Sequence, residues 1–451
     1  MAAWLARILN RKTLPSQLDM TTFAPRPEGG LLVGGAVRDA LLGRPPADLD
    51  WLVADPEVAA RAAADALDGS VFPLDDARGH WRVVTKDAVR DYIRPVGSLE
   101  ADLAARDFTI NAMAADPTGR LIDPLGGRAD LRARQLRMVA PANLRNDPLR
   151  ALRAVRLVVQ LGLEIAPDTQ RVLRELAASQ QAGELPLPAW ERAGEELNKL
   201  LVLPAAAEGI RLLQELGFLE VYLPELARLH GVTQGGYHHL DALAHSLEAL
   251  RQLLAGFPDA SRALRWATLL HDLGKADTRQ AETSKVIHFY GHDKLGAMLA
   301  RRLLQRLRQP AELTRKVEAL VRYHMLPLPK NRREARRFVH RRRTLLPELL
   351  ELMIADREAA RGPMSSEASR QAYRMALARV LEILAELPPR KPLLDGREIM
   401  ALLDLPPGPR VGEAIRFVAE AEAVGDIASR EEAEAALQRY AVGQGWTDEE
   451  G

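Results

Sequence analysis

Asp48 and Asp50 stand two residues apart in the apolar run ADLDWLV. Side chains alternate along a strand, so both carboxylates leave one face and can share a cation. Hard Mg²⁺ takes oxygen ligands and keeps positions open for substrate phosphates. Just upstream, the short apolar segment Leu31–Val33 runs into Gly34 and Gly35 and then into a helix opened by Val37-Arg38-Asp39. Paired glycines let backbone N–H groups approach a polyphosphate closely. A phosphate cradle beside an acid pair is the layout of two-metal nucleotidyl transfer. Asp91, in VRDYI, is the candidate third acid, with Asp87 as its rival.

These residues need a scaffold. From residue 29 onward, extended runs alternate with helical ones: LLVGG, DLDWLVA, a helix over Glu57–Leu67, SVFPL, WRVVT and VRDYIR. That alternation predicts a mixed sheet with helices. From Leu131 the apolar spacing becomes almost purely helical, as in Leu149, Leu152 and Val155 and again in Leu197, Leu200 and Leu201. The fold class is therefore α+β: a sheet-and-helix head over 29–130, a helical neck and body over 131–225, a histidine-rich helical domain over 226–365 and C-terminal helices over 366–451. Residues 1–28 read as an extension.

With 451 residues the chain is long enough for several cores, and it contains no cysteine. Disulfides and thiolate metal sites are excluded, which suits the cytoplasm. No apolar run spans a bilayer, and the N-terminal MAAWLARILNRKTL has neither the apolar core nor the cleavage site of a signal peptide. The net charge of +1 means that a nucleic-acid partner must be held by local basic patches. Two occur, one from Arg132 to Arg156 and one over Lys330–Arg343; each suits an RNA contact or a solvated helix face.

The order strand–Gly-Gly–helix–turn–Asp-x-Asp resembles the head of the DNA polymerase β nucleotidyltransferase superfamily. GGAVRD followed by DLDW is similar to the class II tRNA nucleotidyltransferase and poly(A) polymerase family. That resemblance extends through Arg106-Asp107-Phe108-Thr109-Ile110-Asn111, the family's ribose-binding motif, although Ala105 stands where a basic residue is usual. It continues through Asn146-Asp147-Pro148-Leu149-Arg150, similar to a base-reading motif that normally begins with Glu, and ends near Leu201. It implies that Asp48, Asp50 and Asp91 are catalytic, with Mg²⁺ on the first two. It implies nucleotide contacts from Gly34, Gly35, Arg38, Arg106, Asp107, Asn111, Asp147, Arg150, Arg153 and Arg156. Asp147 and Arg150, read as i, i+3 on one helix, would face the same way. Glu191, Arg192, Glu195, Glu196 and Lys199 resemble the last helix of the family core.

Nine of the ten histidines fall between His230 and His340, a clustering that solubility does not require. Adjacent His271-Asp272 ends an apolar helix, with His245, His292, His324 and Asp356 on other segments; His238 and His239 are weaker candidates. Imidazoles and carboxylates brought together suit a divalent transition metal such as Ni²⁺, Co²⁺ or Mn²⁺. The pattern resembles an HD-superfamily phosphohydrolase with His245, His271, Asp272 and Asp356 as core ligands and His292 and His324 serving a second metal.

The expected partners are tRNA, CTP and ATP, with C and A added to the tRNA 3′ end. Two alternatives compete: a poly(A) polymerase, and an HD phosphohydrolase with a vestigial head. The run between Asp91 and Arg106 leaves only Pro95–Ser98 as evident loop. The family's switching loop lies in that region, so the short run points either to a product that stops at CC or to a short-loop enzyme that reorients Asp147 and Arg150 by other means, the Asn146 and Ala105 departures belonging to that adjustment.

Overall fold

The computed structural model describes residues 14–46, 48–75, 79–95, 97–234, 239–281, 287–361, 366–386 and 392–446. His238 lies outside them. The chain divides into two compact units, Met1–Pro224 and Glu225–Gly451.

In the first unit, seven strands make one mixed sheet: β1 (Leu31–Val33), β2 (Asp48–Leu52), β3 (Ser70–Asp75), β4 (His80–Val84), β5 (Val89–Ile93), β6 (Ala114–Ala115) and β7 (Leu121–Ile122). Their order is β3-β4-β5-β2-β1-β6-β7. Helix α1 (Gly35–Leu41) follows β1, and β2 and β5 run parallel, joined through helix α2 (Pro56–Leu67) and the β3–β4 hairpin. Parallel neighbours need such a crossover. α2 begins where the Asp55 carboxylate accepts from Val58 N–H and Pro56 occupies the first turn.

Register gives the sheet two distinct faces. Leu32, Trp51, Tyr92 and Trp81 are lateral neighbours across β1, β2, β5 and β4, and all four are buried. α2 packs over β3, β4 and β5 and places Arg61 5.2 Å from the Trp81 ring centre. One residue out of phase, the other face carries the lateral row Val33, Asp50, Asp91 and Arg82. The apolar core on that side, Val33, Leu52, Leu103, Ala112 and Ala114, is assembled toward β1 and β6.

Residues 14–28 are part of the head, which corrects the reading of a separate extension there. Leu14, Leu18, Met20 and Phe23 are buried, and Leu18 N–H donates to the Gly119 carbonyl at 2.8 Å. Arg90, on the apolar face of β5, donates to the carbonyls of Phe23, Ala24 and Pro25. Beyond the sheet, α3 (Leu149–Leu161) packs on α4 (Trp190–Leu201). A short parallel pair, Gln135–Leu136 with Glu164–Ile165, interrupts the stretch expected to be almost purely helical.

Among the described residues the second unit is helical apart from the pair Gln280–Ala281 with Ile287–His288 and a single bridge between Thr233 and Asp241. α5 (Ala242–Gly256), α6 (Arg262–Leu270), α7 (His292–Arg306), α8 (Ala311–Tyr323), α9 (Arg332–Arg342) and α10 (Glu348–Ala359) come first. α11 (Glu367–Glu386), α12 (Gly396–Leu403), α13 (Pro409–Val424) and α14 (Arg430–Gly443) follow. α6 is buried from Ala263 through Leu270, as expected of the central helix in a bundle. α12, α13 and α14 share a core of their own built on Ile399, Ala414, Val418 and Leu437.

Several arginines of the Lys330–Arg343 run pair with carboxylates at the surface of the C-terminal helices. Arg333 pairs with Asp426, while Arg337 and Arg341 both reach Glu420 on α13, at 2.8 and 2.7 Å. Arg332 pairs with Glu386. An exposed pair contributes at most about 1 kcal/mol and is screened by salt. Glu420→Gln is expected to destabilise the protein by about 1 kcal/mol in low-salt urea denaturation. At 1 M NaCl that loss should shrink by about half or more; an undiminished loss would assign Glu420 to packing.

Candidate functional site

β2 presents Asp48 and Asp50 on one face because Leu49 and Trp51 turn into the opposite core. Asp50 lies beside Asp91 in the parallel β2–β5 register, and Asp91 lies beside Arg82 in the antiparallel β5–β4 register. Arg82 Nε and Nη2 donate to the two Asp91 carboxylate oxygens, each at 2.7 Å. His80 Nε2 stands 3.5 Å from the same carboxylate. Asp87 sits in the turn before β5, away from this row. Burial raises the Asp50 carboxyl above its ordinary value; Asp91 and Asp48 add to the rise, and Arg106 and Arg153 oppose it. Such a group is stabilised as a carboxylate by a nearby cation.

Beside Asp50, Gly34 adopts φ +74° and ψ −132°. A Cβ there would lie 2.5 Å from Arg106 Nη1 and 3.5 Å from Asp50 Oδ2. Glycine therefore brings the main chain, the guanidinium and the metal-type acid into one small space. Arg106 is braced by Asp102 and by the Asn111 carbonyl. Arg38 turns inward, forked on Asp39 at 2.9 Å with its Nη1 donating to Asn111 Oδ1 at 2.5 Å. Asn111 in turn donates to Asp107, and Asp107 pairs with Arg153 at 3.0 Å. Burial pushes the Asp107 carboxyl up, but Arg153, the Asn111 and Phe108 donors and Arg150 bring it below its ordinary value. Arg156 is engaged elsewhere, with Glu196 and Gln160.

Asp147 and Arg150 do not share a helix. Asp147 is extended, between the helix Pro141–Asn146 and α3, because the following Pro148 disfavours helical geometry before it. Its carboxylate is held by Arg192 from α4, at 3.0 Å, while Arg150 donates to the carbonyls of Ala105 and Asn143. Sequence separation hid the Asp147–Arg192 pairing, as it hid Arg82. The alternate spacing of His80 and Arg82 in HWRVV was the only available signal for the latter.

In the second unit, α5 supplies His245, the end of α6 supplies His271 and Asp272, α7 opens with His292, α8 ends at His324, and α10 supplies Asp356. The ligand atoms of His245, His271 and Asp356 lie within 4.8 Å of one another, as do those of Asp272, His292 and His324. His271, His292 and His324 each donate Nδ1–H to the carbonyl three residues earlier, at 2.7–2.8 Å. A carbonyl can only accept, so in the neutral ring Nε2 carries the lone pair. Nε2 of His292 and of His324 are buried with no hydrogen-bond partner among the described residues. Asp272 stands between the two groups, with His271 Nε2 at 3.2 Å and His292 Nε2 at 3.7 Å. Lys275, unassigned from sequence, donates to Asp272 at 2.7 Å and to Gln234. Burial disfavours a charged His271, yet Asp272 and Asp356 push it up to about 10; burial and the charge of His271 push His324 down to about 4. Buried nitrogens without partners, opposed to carboxylates that favour a cation, fit a metal centre.

Gly34→Ala tests the first site. The conformation disfavours any other residue by about 1–3 kcal/mol, and the new Cβ displaces Arg106. We expect a modest fall in melting temperature and a rise in nucleotide KM of about tenfold or more. A variant with unchanged nucleotide KM would remove the Gly34–Arg106 contact from the nucleotide site.

Residues 73–137 match the model for the poly A polymerase head domain, 162–229 that for the probable RNA and SrmB-binding site of polymerase A, and 236–361 that for the HD domain. An A-adding tRNA nucleotidyltransferase of Deinococcus radiodurans is 53% identical over 420 residues, covering 92% of this chain and 96% of the relative. A CC-adding tRNA nucleotidyltransferase of Thermus thermophilus is 45% identical over 419 residues, covering 93% and 95%. Among solved structures, the Bacillus stearothermophilus CCA-adding enzyme in complex with CTP superposes with a TM-score of 0.63 at 26% identity, covering 92% of this chain and 94% of that one. With relatives this similar over nearly their whole length, the chain belongs to the tRNA nucleotidyltransferase family.

Proposed function

We propose that this protein transfers AMP from ATP to the 3′ end of a tRNA that already ends in CC. The observation that carries this product is the 53% identity with the A-adding relative across 96% of its length, against 45% with the CC-adding one. Asp48 and Asp50 would hold Mg²⁺, which when bound would lower the pKa of the attacking hydroxyl and neutralise the leaving pyrophosphate. Gly34, Gly35 and Arg106 receive the triphosphate. Asp107 and Asn111, fixed by Arg38 and Arg153, meet the ribose. Asp147 and Arg150 meet the base edge, with Arg192 orienting the aspartate. A carboxylate accepts and a guanidinium donates, so together they discriminate among bases without a template.

A second product is favoured by one observation. Ser98 caps the helix Leu99–Ala104, so little loop remains between β5 and Arg106 to reshape the base pocket for a purine. On that reading the enzyme adds CC and stops. Purified protein with ATP alone and tRNA ending in CC separates the two. Efficient addition of a single A is expected; negligible addition, with robust CMP incorporation on shorter tRNA, would establish the CC product, and a long tail would establish a poly(A) polymerase. Asp48→Asn and Asp50→Asn are each expected to cut addition by about a hundredfold or more with the fold intact. Retained activity in either would overturn the acid-pair assignment.

The second unit we read as a metal-dependent phosphohydrolase acting on a phosphomonoester or a 2′,3′-cyclic phosphate. The buried, inward-facing Nε2 atoms of His292 and His324 support it. After incubation with Ni²⁺, Co²⁺ or Mn²⁺ and desalting, elemental analysis should find bound metal in the wild type and markedly less in His271→Ala and His324→Ala, with nucleotide addition spared in both. No retained metal in the wild type would make the unit structural. A cytoplasmic location is supported by the absence of cysteine. Among the described residues no helix is long and apolar enough to cross a membrane.

A further inference from the structure

The row Asp50–Asp91–Arg82 continues to one more strand. In the β3–β4 register Phe72 lies beside Arg82, on the same face. Phe72 is 40% exposed, and Val84, two residues beyond Arg82 and so also on this face, is 37% exposed. Arg82 has five N–H donors, of which Asp91 takes two. Among the described residues it makes no other hydrogen bond, and its side chain is 35% exposed. The β4–β5 edge thus carries a guanidinium anchored from one side with donors to spare, next to an aromatic ring open to solvent.

The position of this edge limits what it can bind. Strand order puts β1 on one flank of β2 and β5 with β4 on the other. Gly34 and Arg106 occupy the β1 flank and lie against Asp50. The reading above places the triphosphate there, which leaves the β5–β4 flank for the second substrate. Neighbouring strands are about 4.8 Å apart, so Arg82 stands roughly 10 Å from Asp50 along the row, within reach of the nucleotides next to a reacting 3′-hydroxyl. A cationic fork beside an exposed aromatic suits single-stranded nucleic acid, the guanidinium meeting phosphate and the ring stacking on a base.

We propose that Arg82 and Phe72 bind the single-stranded 3′ end of the acceptor tRNA, with Asp91 as the positioning residue that holds the Arg82 guanidinium. Arg82 takes a phosphodiester near the terminus and Phe72 a terminal base. Asp91 acts through Arg82, since both of its oxygens are engaged there. The proposal rests on the nucleotidyl-transfer reading and commits its two substrates to opposite flanks of Asp50.

The test uses the full-length protein with tRNA ending in CC, ATP and Mg²⁺, comparing wild type, Arg82→Gln, Arg82→Lys, Phe72→Ala and Asp91→Asn. The expected result is a rise in tRNA KM of about tenfold in Arg82→Gln and in Phe72→Ala, with the ATP KM within about twofold of wild type. Arg82→Lys should recover part of the loss, and the tRNA KM of Arg82→Gln should depend less steeply on salt. Asp91→Asn should raise the tRNA KM by less than Arg82→Gln. Phe72 is exposed, so its variant keeps the test decisive if an Arg82 variant does not fold. An unchanged tRNA KM in Phe72→Ala and Arg82→Gln, or a rise in the ATP KM instead, overturns the proposal. A loss confined to kcat in Asp91→Asn assigns Asp91 to the metals and overturns its anchoring role. A wild type that adds no nucleotide to any tRNA refutes the underlying reading rather than this one.

Discussion

Acids crowded onto one sheet face repel one another, and the head is arranged around that repulsion. Asp48, Asp50 and Asp91 project from two parallel neighbours, and Asp50 is half-buried. Isolated, such a group would take up a proton. Here each flank supplies positive charge: Arg82 forks onto Asp91 from β4, and Arg106 and Arg153 act on Asp50 from the other side. What remains is a partly neutralised cluster whose unmatched charge suits a hard divalent ion. The opposite sheet face is tied to this by phase. A one-residue slip of β2 would bury both acids and expose Trp51.

The histidine centre meets the same constraint with different chemistry. Asp272 is buried and Asp356 partly so, and both are held well below the ordinary carboxylate range, burial opposing and His271 and His245 with their neighbours prevailing. The three rings anchored through Nδ1 to their own helix ends leave nitrogen, not oxygen, as the open donor. Oxygen-only and mixed nitrogen–oxygen donor sets favour different ions. Both centres are built on element ends and strands rather than loops, which limits their freedom to relax.

The arginine-rich segments show how little charge alone says. Arg150, Arg153 and Arg156 follow one another on α3 at helical spacing, yet they serve backbone carbonyls, Asp107 and Glu196 respectively. The Lys330–Arg343 run looks equally suited to RNA, but several of its guanidinium groups bind the C-terminal helices to the rest of their unit. Arg82, the one arginine of its strand, stands outside any arginine-rich segment.

The sequence by itself determined what local pattern can determine. Alternation in DLDWL placed Asp48 and Asp50 on one face, the glycine pair marked the turn where Gly34 takes a left-handed φ, and helical spacing with clustered histidines pointed to a second site. Those features depend on residues a few positions apart, where strand and helix periodicities hold. Only the tertiary structure decided which distant groups meet. β5 lying between β2 and β4 put Asp91 against both Asp50 and Arg82, α4 brought Arg192 to Asp147, and the packing of α5, α6, α7, α8 and α10 brought six histidine and aspartate side chains together in two groups that could hold metal ions. Register between strands and contact between helices are set by burial across the whole domain, which no short stretch of sequence encodes.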